Sequence, residues 1–328
     1  MGVETWFYSS ICWLTIGLGA VWKFPYMTAA NGGGGFLLIF LISTILIGFP
    51  LLLAEFALGR SAGVSAIKTF GKLGKNNKYN FIGWIGAFAL FILLSFYSVI
   101  GGWILVYLGI EFGKLFQLGG TGDYAQLFTS IISNPAIALG AQAAFILLNI
   151  FIVSRGVQKG IERASKVMMP LLFIVLPQLF DKMPFGTIFY VLFLFATVTS
   201  SVVMLEINVD NITNQDNSKR AKWSVILGIL TFVFGIPSAL SYGVMADVYI
   251  FGKTFFDAMD FLVSNLLMPF GALYLSLFTG YIFKKALAME ELHLDERAWK
   301  QGLFQVWLFL LRFVIPIIII VVFIAQFM

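Results

Sequence analysis

The sequence predicts an all-α polytopic membrane protein with about nine transmembrane helices. Three observations support this prediction: 60% of the residues are hydrophobic and 11% are charged, the apolar residues fall into long charge-free runs, and the basic residues gather on one side of the predicted membrane. An average soluble domain carries about 25% charged residues. A chain of 328 residues could not hide so much apolar surface from water, which excludes an ordinary soluble globule and a disordered chain.

The apolar runs are long enough to span a membrane. A helix needs about 20 apolar residues to cross roughly 30 Å of hydrocarbon, and nine runs approach that length if the last is extended backwards across Arg312. The fifth run is short, is interrupted by Pro177 and is joined to the sixth by a few residues. In chain order the candidate spans are Thr5–Trp22, Phe24–Ala54, Tyr79–Ile110, Tyr124–Ser154, Val167–Phe180, Met183–Leu205, Trp223–Ala246, Phe261–Phe283 and Gly302–Met328.

The distribution of basic residues predicts the orientation. With the N-terminus inside, 16 of the 21 Lys and Arg residues fall in the inner loops, as the positive-inside rule requires. The net charge of +5 is therefore explained by the membrane topology and does not indicate nucleic-acid binding. The acidic start MGVET lacks the basic region and the cleavage site of a signal peptide. We expect a multi-pass protein of the cell (plasma) membrane with a cytoplasmic N-terminus.

The residue inventory argues against catalysis. The single cysteine, Cys12, excludes an internal disulfide and a cysteine metal cluster. The single histidine, His293, lies in the charged stretch EELHLDER, fits a solvated loop residue and excludes a histidine-ligated zinc site. No catalytic Ser–His–Asp set can be drawn with one such histidine, and no span carries clustered acids. We expect that the protein is not an enzyme.

The first span ends in the glycine-rich string TIGLGAVWKFPY, followed by NGGGG. Gly17 and Gly19 lower the free-energy cost of leaving helical geometry, and Pro25 removes a backbone donor. Irregular backbone at membrane depth is tolerated where it lines a cavity or is buried in protein, and a broken helix exposes N–H and C=O groups to ligands. The alternative is close helix packing through small residues.

The string GLGAVWKFPYMTAANGGGGF resembles the first-helix signature of the neurotransmitter:sodium symporter family, close to GLGxxWRFPYxxxxNGGGxF, especially in its bacterial sodium-dependent amino-acid transporters. Five further stretches resemble later parts of that family in the same order: LLLAEFALGR, SFYSVIGGW, RGVQKGIERASKVMMPLLF, ATVTSSVVMLE and DAMDF. The resemblance implies the LeuT-like (leucine-transporter-like) inverted-repeat fold. It divides one membrane domain, 1–328, into a first repeat of five spans at 1–176 and a four-span remnant of the second repeat plus the last helix at 177–328.

The resemblance also implies a substrate site and a sodium site. Backbone groups of Gly17, Leu18 and Gly19 would hold an amino-acid carboxylate together with the Tyr97 hydroxyl. Positions 196, 199 and 200 are spaced i, i+3 and i+4, so they share one helix face. Hydroxyls bonded back to their own helix are the alternative there. The implied sodium ligands are carbonyls and hydroxyls of Trp13, Ile16, Ala196, Thr199 and Ser200.

Charged residues complete the implied site. Lys23 and Asp260 would form an outer gate, in which Lys replaces the family's usual Arg and donates as a point charge instead of a bidentate fork. The alternative is two independently snorkelling side chains. Glu55 and Glu206 are predicted to be intramembrane acids, which cost free energy to bury and therefore indicate a functional role. The alternative is that each is a helix-end carboxylate in the headgroup region. Arg312 would snorkel or pair with an acid.

The sequence departs from the family pattern in its middle. The stretch that resembles the fifth helix, MMPLLFIVL, runs almost directly into the stretch that in the family leads to the eighth helix. The resemblance therefore implies that the sixth and seventh helices are absent. Half of the substrate pocket and the second sodium site would be lost with them. Faces that packed against them would meet lipid or a flooded cavity, including those with Thr197, Thr199, Ser200 and Ser201. Ala20 stands where the family often has Asn, and Trp13 where it has Gly. Losing two spans keeps the orientation of every later helix.

The resemblance implies sodium-coupled symport of an amino acid or a related small amine by alternating access. Sodium is the implied ion, and the residues leave chloride unassigned. The implied partners are a small-molecule substrate and the lipid bilayer, and a homo-oligomer stays open. Two alternatives follow from the missing helices: an internally deleted, transport-inactive member of the family, or a subunit that needs a partner to complete the site.

Overall fold

A computed structural model describes Gly19, Lys23 and residues 24–115, 124–155, 185–292 and 298–327. This part of the chain is almost entirely helical, as predicted. Its helices are α1 (Phe24–Ala30), α2 (Gly34–Ser43), α3 (Phe49–Ala62), α4 (Ala66–Leu73), α5 (Asn80–Leu115), α6 (Tyr124–Ser133), α7 (Pro135–Ser154), α8 (Phe185–Thr213), α9 (Asn217–Leu240), α10 (Phe255–Phe261), α11 (Met268–Leu277), α12 (Lys285–Glu291), α13 (Ala298–Phe309) and α14 (Ile315–Ala325). Two-residue strands, β1 (Tyr249–Ile250) and β2 (Lys253–Thr254), pair in an antiparallel hairpin.

Seven helical stretches within the described residues are long and apolar enough to cross a membrane. They correspond to the second, third, fourth and sixth to ninth predicted spans. The predicted spans Thr5–Trp22 (apart from Gly19) and Val167–Phe180 lie outside the described residues. The seven stretches are Gly34–Ala62, Asn77–Gly113, Pro135–Ser154, Phe189–Thr213, Asn217–Leu240, Phe255–Ile282 and Lys300–Ala325.

Two predicted boundaries were wrong because a count of charges does not detect breaks in a helix. The second span begins at Gly34, not at Phe24, since Gly32 and Gly33 adopt φ angles of +88° and +57° and end α1. The fourth is divided at Asn134, whose side-chain oxygen accepts hydrogen bonds from the backbone N–H groups of Ala136 (3.0 Å) and Ile137 (3.3 Å). This N-cap starts α7 as a separate helix.

Four π-helical segments interrupt the described spans, at Thr44–Gly48, Leu262–Leu267, Phe278–Ile282 and Leu310–Val314. The first, second and fourth end two residues before Pro50, Pro269 and Pro316, respectively. A proline has no N–H and its ring crowds the carbonyl four residues earlier. A widened turn gives that carbonyl room, so these prolines remain inside continuous spans.

The chain forms two compact units, each with its own core. The first unit comprises the described residues of 1–27 and 91–259, and the second those of 28–90 and 260–328. In the first unit, the C-terminal part of α5 packs with α7, α8 and α9 around Phe145, Val202 and Val209. Gly102 permits a close approach of α5 to α7, because a Cβ there would lie 2.8 Å from the backbone nitrogen of Gln142.

The core of the second unit joins α3, α11, α13 and α14. Leu58, Phe278 and Leu311 are buried at its centre. The Trp307 indole N–H donates to the carbonyl of Pro50 at 3.0 Å, which ties α13 to α3. Large apolar side chains cover the outside of this unit, and Leu38 is 65% exposed. Such a surface fits lipid tails and not water.

Candidate functional site

Three of the five predicted sodium ligands come together on α8. The carbonyl oxygen of Ala196 accepts hydrogen bonds from Thr199 Oγ1 at 3.0 Å and from Ser200 Oγ at 3.2 Å. Thr199 is 5% exposed and Ala196 is 3% exposed. These bonds are the back-bonding geometry that the sequence left as the alternative, and they also hold three uncharged hard oxygens within one helical turn. Trp13 and Ile16 lie outside the described residues.

Such an oxygen set suits a monovalent cation. Among the described residues, no group of three His, Cys, Asp or Glu side chains is placed to hold a metal ion. Each hydroxyl donates one hydrogen bond to Ala196 O and keeps lone pairs for a second partner. The two hydroxyl oxygens can therefore each bind a further partner, and the predicted sodium site stays a prediction.

The polar side chains beside this set are buried in protein, contrary to expectation. Ser201 Oγ donates to Asn149 Oδ1 on α7 at 2.7 Å, and Thr197 Oγ1 donates to the Phe193 carbonyl at 2.8 Å. Both side chains are fully buried and Ser200 is half-buried. The prediction that these side chains meet lipid or a flooded cavity was therefore wrong for Thr197 and Ser201, which are fully buried.

Tyr97, the predicted carboxylate ligand, packs against the helix that carries the oxygen set. It is 7% exposed and lies in one apolar cluster with Phe193, one turn before Ala196 on α8. Gly17 and Leu18 lie outside the described residues. At Gly19, a Cβ would meet no described atom within 4 Å, so close packing does not explain that glycine in the described part of the chain.

The predicted gate residues belong to different compact units. Lys23 is exposed in the first unit, just before α1. Asp260 lies on α10 in the second unit, where its carboxylate accepts a hydrogen bond from Ser264 Oγ at 2.9 Å. Their pairing stays a prediction.

The intramembrane acids have different surroundings. Glu206 forms an ion pair with Arg220 on α9, and Arg220 also donates to Asn217 Oδ1 at 3.1 Å. Both partners are more than three-quarters buried. Glu55 is exposed on α3. The sequence predicts that Arg220 lies in an inner basic loop, but this pair was not predicted. The available signal was a basic residue near the start of the helix that follows Glu206.

A buried amide that is hydrogen-bonded to Ser98, the residue after Tyr97, was not predicted. Gln142 on α7 is fully buried, and its Nε2 donates to Ser98 Oγ at 3.1 Å. Ser98 Oγ donates in turn to the Ser95 carbonyl at 2.7 Å. Gln142 Oε1 has no hydrogen-bond partner among the described residues. An amide in a charge-free run is costly in a membrane and was the available signal.

Several known proteins are similar to this chain in sequence or in fold. A model of the "Sodium:neurotransmitter symporter family" matches residues 4–117. YhdH, an uncharacterized sodium-dependent transporter of Bacillus subtilis, is 38% identical over 421 aligned positions that cover 94% of this chain and 93% of that protein. An uncharacterized sodium-dependent transporter of Haemophilus influenzae is 24% identical and covers 98% of both chains.

Two further similarities involve proteins with named ligands or substrates. The crystal structure of MhsT in complex with L-phenylalanine matches with a TM-score of 0.86 and 28% identity, covering 99% of this chain and 98% of that one. The sodium-dependent neutral amino acid transporter B(0)AT2 of Rattus norvegicus is 35% identical over 98 residues, which are 30% of this chain and 13% of that protein.

The Bacillus subtilis alignment is longer than the chain itself. Its 421 positions compare with 328 residues, so at least 93 positions hold residues of the relative without a counterpart here. The chain is therefore shorter than its relative within the aligned region. The predicted place of the gap, where the fifth-helix motif meets the eighth helix, falls in 156–184, outside the described residues.

Proposed function

The chain belongs to the sodium:neurotransmitter symporter family, and on that premise we propose that it couples sodium entry to the uptake of a neutral amino acid. Its relatives are sodium-dependent transporters and not enzymes, and its fold is the LeuT-like fold of a multi-pass membrane transporter. The amino-acid substrate, the inward direction and alternating access are parts of the proposal.

The convergence of three oxygens on α8 carries this proposal. Ala196 O, Thr199 Oγ1 and Ser200 Oγ lie in one turn of a buried helix. Tyr97 packs on the same helix one turn away, through Phe193. A sodium ion at these oxygens and a carboxylate at the Tyr97 hydroxyl would thus share one wall, so that each would stabilise the other by opposite charge.

The substrate class is supported by the two neighbours with named ligands. One is bound to L-phenylalanine and the other is named for neutral amino acids. Tyr97 belongs to a buried cluster with the apolar side chains of Ile104 and Phe193. Such a wall favours an uncharged side chain, because an unpaired charge there would be costly.

Uptake into proteoliposomes tests the proposal. We expect labelled phenylalanine or leucine to accumulate under an inward sodium gradient and not under a potassium gradient. Thr199→Ala and Ser200→Ala each remove one oxygen, and we expect each to weaken the apparent sodium affinity about tenfold, the effect of a lost contact to a charged group.

Thr197→Ala is the matched control, since it removes a back-bonded threonine hydroxyl from the same helix without touching the oxygen set. It should leave the sodium dependence unchanged. Equal effects of Thr197→Ala and Thr199→Ala would contradict the assignment, as would uptake that ignores sodium.

The shortening within the aligned region favours a second candidate, a member of the family that binds sodium but does not transport alone. At least 93 positions of the relative are missing here, and the resemblance places half of the substrate pocket among them. Binding of radioactive sodium to the purified protein, sensitive to Thr199→Ala and without uptake, would support this candidate. Uptake only with a co-purified partner would support a subunit.

A further inference from the structure

Arg312 is a basic residue inside the last described span. It lies in the π segment Leu310–Val314 within Lys300–Ala325 and is half-buried. Its Nε donates to the carbonyl of Gly280 at 2.6 Å, and its Cζ lies 5.4 Å from the centre of the Tyr281 ring. A cation in a span is costly and is placed for function by default, so its remaining donors need an explanation.

The contact with Gly280 sets the depth of Arg312 in the membrane. Gly280 is two residues from the end of the span Phe255–Ile282, or about 3 Å at 1.5 Å per residue. At Phe283 the chain leaves helical geometry, with ψ at +133°. Exposed Lys284 and Lys285 follow. Arg312 therefore lies beside the end of the span Phe255–Ile282, although it sits inside an apolar run of its own helix.

The backbone around Arg312 is held by side chains of the helix that contains Gly280. Ser276 Oγ donates to the Leu311 carbonyl at 2.6 Å, and the Tyr281 hydroxyl donates to the Arg312 carbonyl at 3.3 Å. A Cβ on Gly280 would lie 2.9 Å from Arg312 Cγ, so only glycine admits this approach easily. These contacts fix the side chain before any ligand arrives.

The donors of Arg312 are mostly unused. Among the described residues, no acceptor bonds to Nη1 or Nη2 and no acid pairs with Arg312. These two nitrogens are not buried. Lys284 and Lys285 likewise have no acidic partner among the described residues, and Glu291 is paired with Arg60 at 3.1 Å. Arg312 and the two lysines that follow the Gly280 helix therefore have no acidic partner in the part of the chain that the structure describes.

We propose that Arg312, Tyr281, Lys284 and Lys285 bind the headgroup of an anionic phospholipid. A guanidinium fork matches two phosphate oxygens, and interfacial lysines add attraction for anionic lipids. Tyr281 is 57% exposed and would line the headgroup, as interfacial tyrosines do. Exposed Phe313 offers apolar surface beside Arg312 to an acyl chain, which favours a lipid over free phosphate.

The test counts lipids bound to the full chain. The protein is purified from mixed micelles of phosphatidylglycerol and phosphatidylcholine, and retained lipids are counted by native mass spectrometry. We expect wild type to retain phosphatidylglycerol in preference, and Arg312→Gln to weaken that retention about tenfold, the effect of lost charge-assisted hydrogen bonds. Arg155→Gln is the matched control, because Arg155 is also an arginine over an aromatic ring, 4.0 Å from the Phe151 centroid.

A double variant, Lys284→Gln with Lys285→Gln, keeps the Gly280–Arg312 contact and decides the question if Arg312→Gln does not fold. It should lose the preference for phosphatidylglycerol over phosphatidylcholine. Equal retention of both lipids by wild type, an unchanged preference in the double variant, or equal losses in Arg312→Gln and Arg155→Gln would overturn the proposal. Displacement of the lipid by inorganic phosphate at equal concentration would overturn the choice of a lipid.

Discussion

At the scale of single residues, Ala196 shows how one carbonyl serves a helix and a predicted ion site together. Its oxygen accepts from both Thr199 Oγ1 and Ser200 Oγ. The i, i+3, i+4 spacing predicts that these groups share a face, and the structure confirms that they meet. The spacing cannot tell back-bonding from sodium ligation, because the helix brings the same atoms together in either case.

The Glu206–Arg220 pair yields a prediction on stability. Both side chains are mostly buried, so Arg220→Gln should leave an uncompensated buried carboxylate and cost about 3 kcal/mol. A lower melting temperature in detergent would report the loss.

The double variant Glu206→Gln with Arg220→Gln is the control for this pair. It should regain much of the stability, since neither charge is then left unpaired. Additive losses in the double variant would show that the two side chains do not interact.

At the scale of secondary-structure elements, Gly235 sets the contact of α9 with α5 and α7. A Cβ there would overlap Gln142 Nε2 and lie 2.5 Å from the Ser95 carbonyl oxygen. Gly235→Ala should therefore destabilise the first unit by about 2 kcal/mol, as overpacking does, measured as a lower melting temperature.

Gly140 supplies the control on the neighbouring helix α7. A Cβ at Gly140 meets nothing within 4 Å, so Gly140→Ala should be neutral or stabilising by up to about 1 kcal/mol. If both substitutions had the same effect, the tight contact at Gly235 would be refuted.

The start of α9 is expected to be sensitive to acid. Asp216 is its N-cap and lies outside the spans, and hydrogen bonds from the Ser218 side chain and backbone hold the pKa of its carboxyl below the ordinary value. Because the pKa of this carboxyl is lower in the folded state, its charge stabilises the helix at pH values above the unfolded-state pKa of about 3.9. This contribution is lost as the pH falls through the folded-state pKa.

The measurement is the difference in melting temperature between wild type and Asp216→Asn as a function of pH. Asn keeps the capping oxygen but has no charge. We expect the advantage of wild type to shrink as the solution is made acidic. A difference that does not change with pH would contradict the role of the charge.

Several element boundaries could have been predicted, and others could not. Asn134 followed by Pro135 predicts a helix start, but a count of charges does not detect this signal. The hairpin turns at Phe251–Gly252, where φ is +51° and +75°. Such turns favour Asn, Asp or Gly at the first of these positions, so a turn with Phe251 there could not be predicted from the sequence. The contact of Arg312 with Gly280 joins distant parts of the chain, so no local pattern predicts it.

At the scale of the whole molecule, composition and charge predicted the membrane class and most spans. Seven of the nine predicted spans have counterparts among the described residues. The resemblance predicted the LeuT-like fold, which the match to MhsT confirms. The gap of at least 93 positions confirms a shortened chain, whereas the loss of the sixth and seventh helices in particular stays a prediction.

Cysteine labelling of the loops tests whether Val167–Phe180 crosses the membrane. The loops at Asn77 and Asn214 are separated by the third to sixth predicted spans, so they share the inner side only if all four cross. In a Cys12→Ser background, we expect a membrane-impermeant maleimide to label Asn77→Cys and Asn214→Cys only after permeabilisation. Phe251→Cys, one predicted span further and 99% exposed, should be labelled in intact cells. Labelling of Asn214→Cys from outside, with Asn77→Cys protected, would mean that the fifth span does not cross. Every later helix would then be inverted, and the inner basic loops after it would face outward against the positive-inside rule.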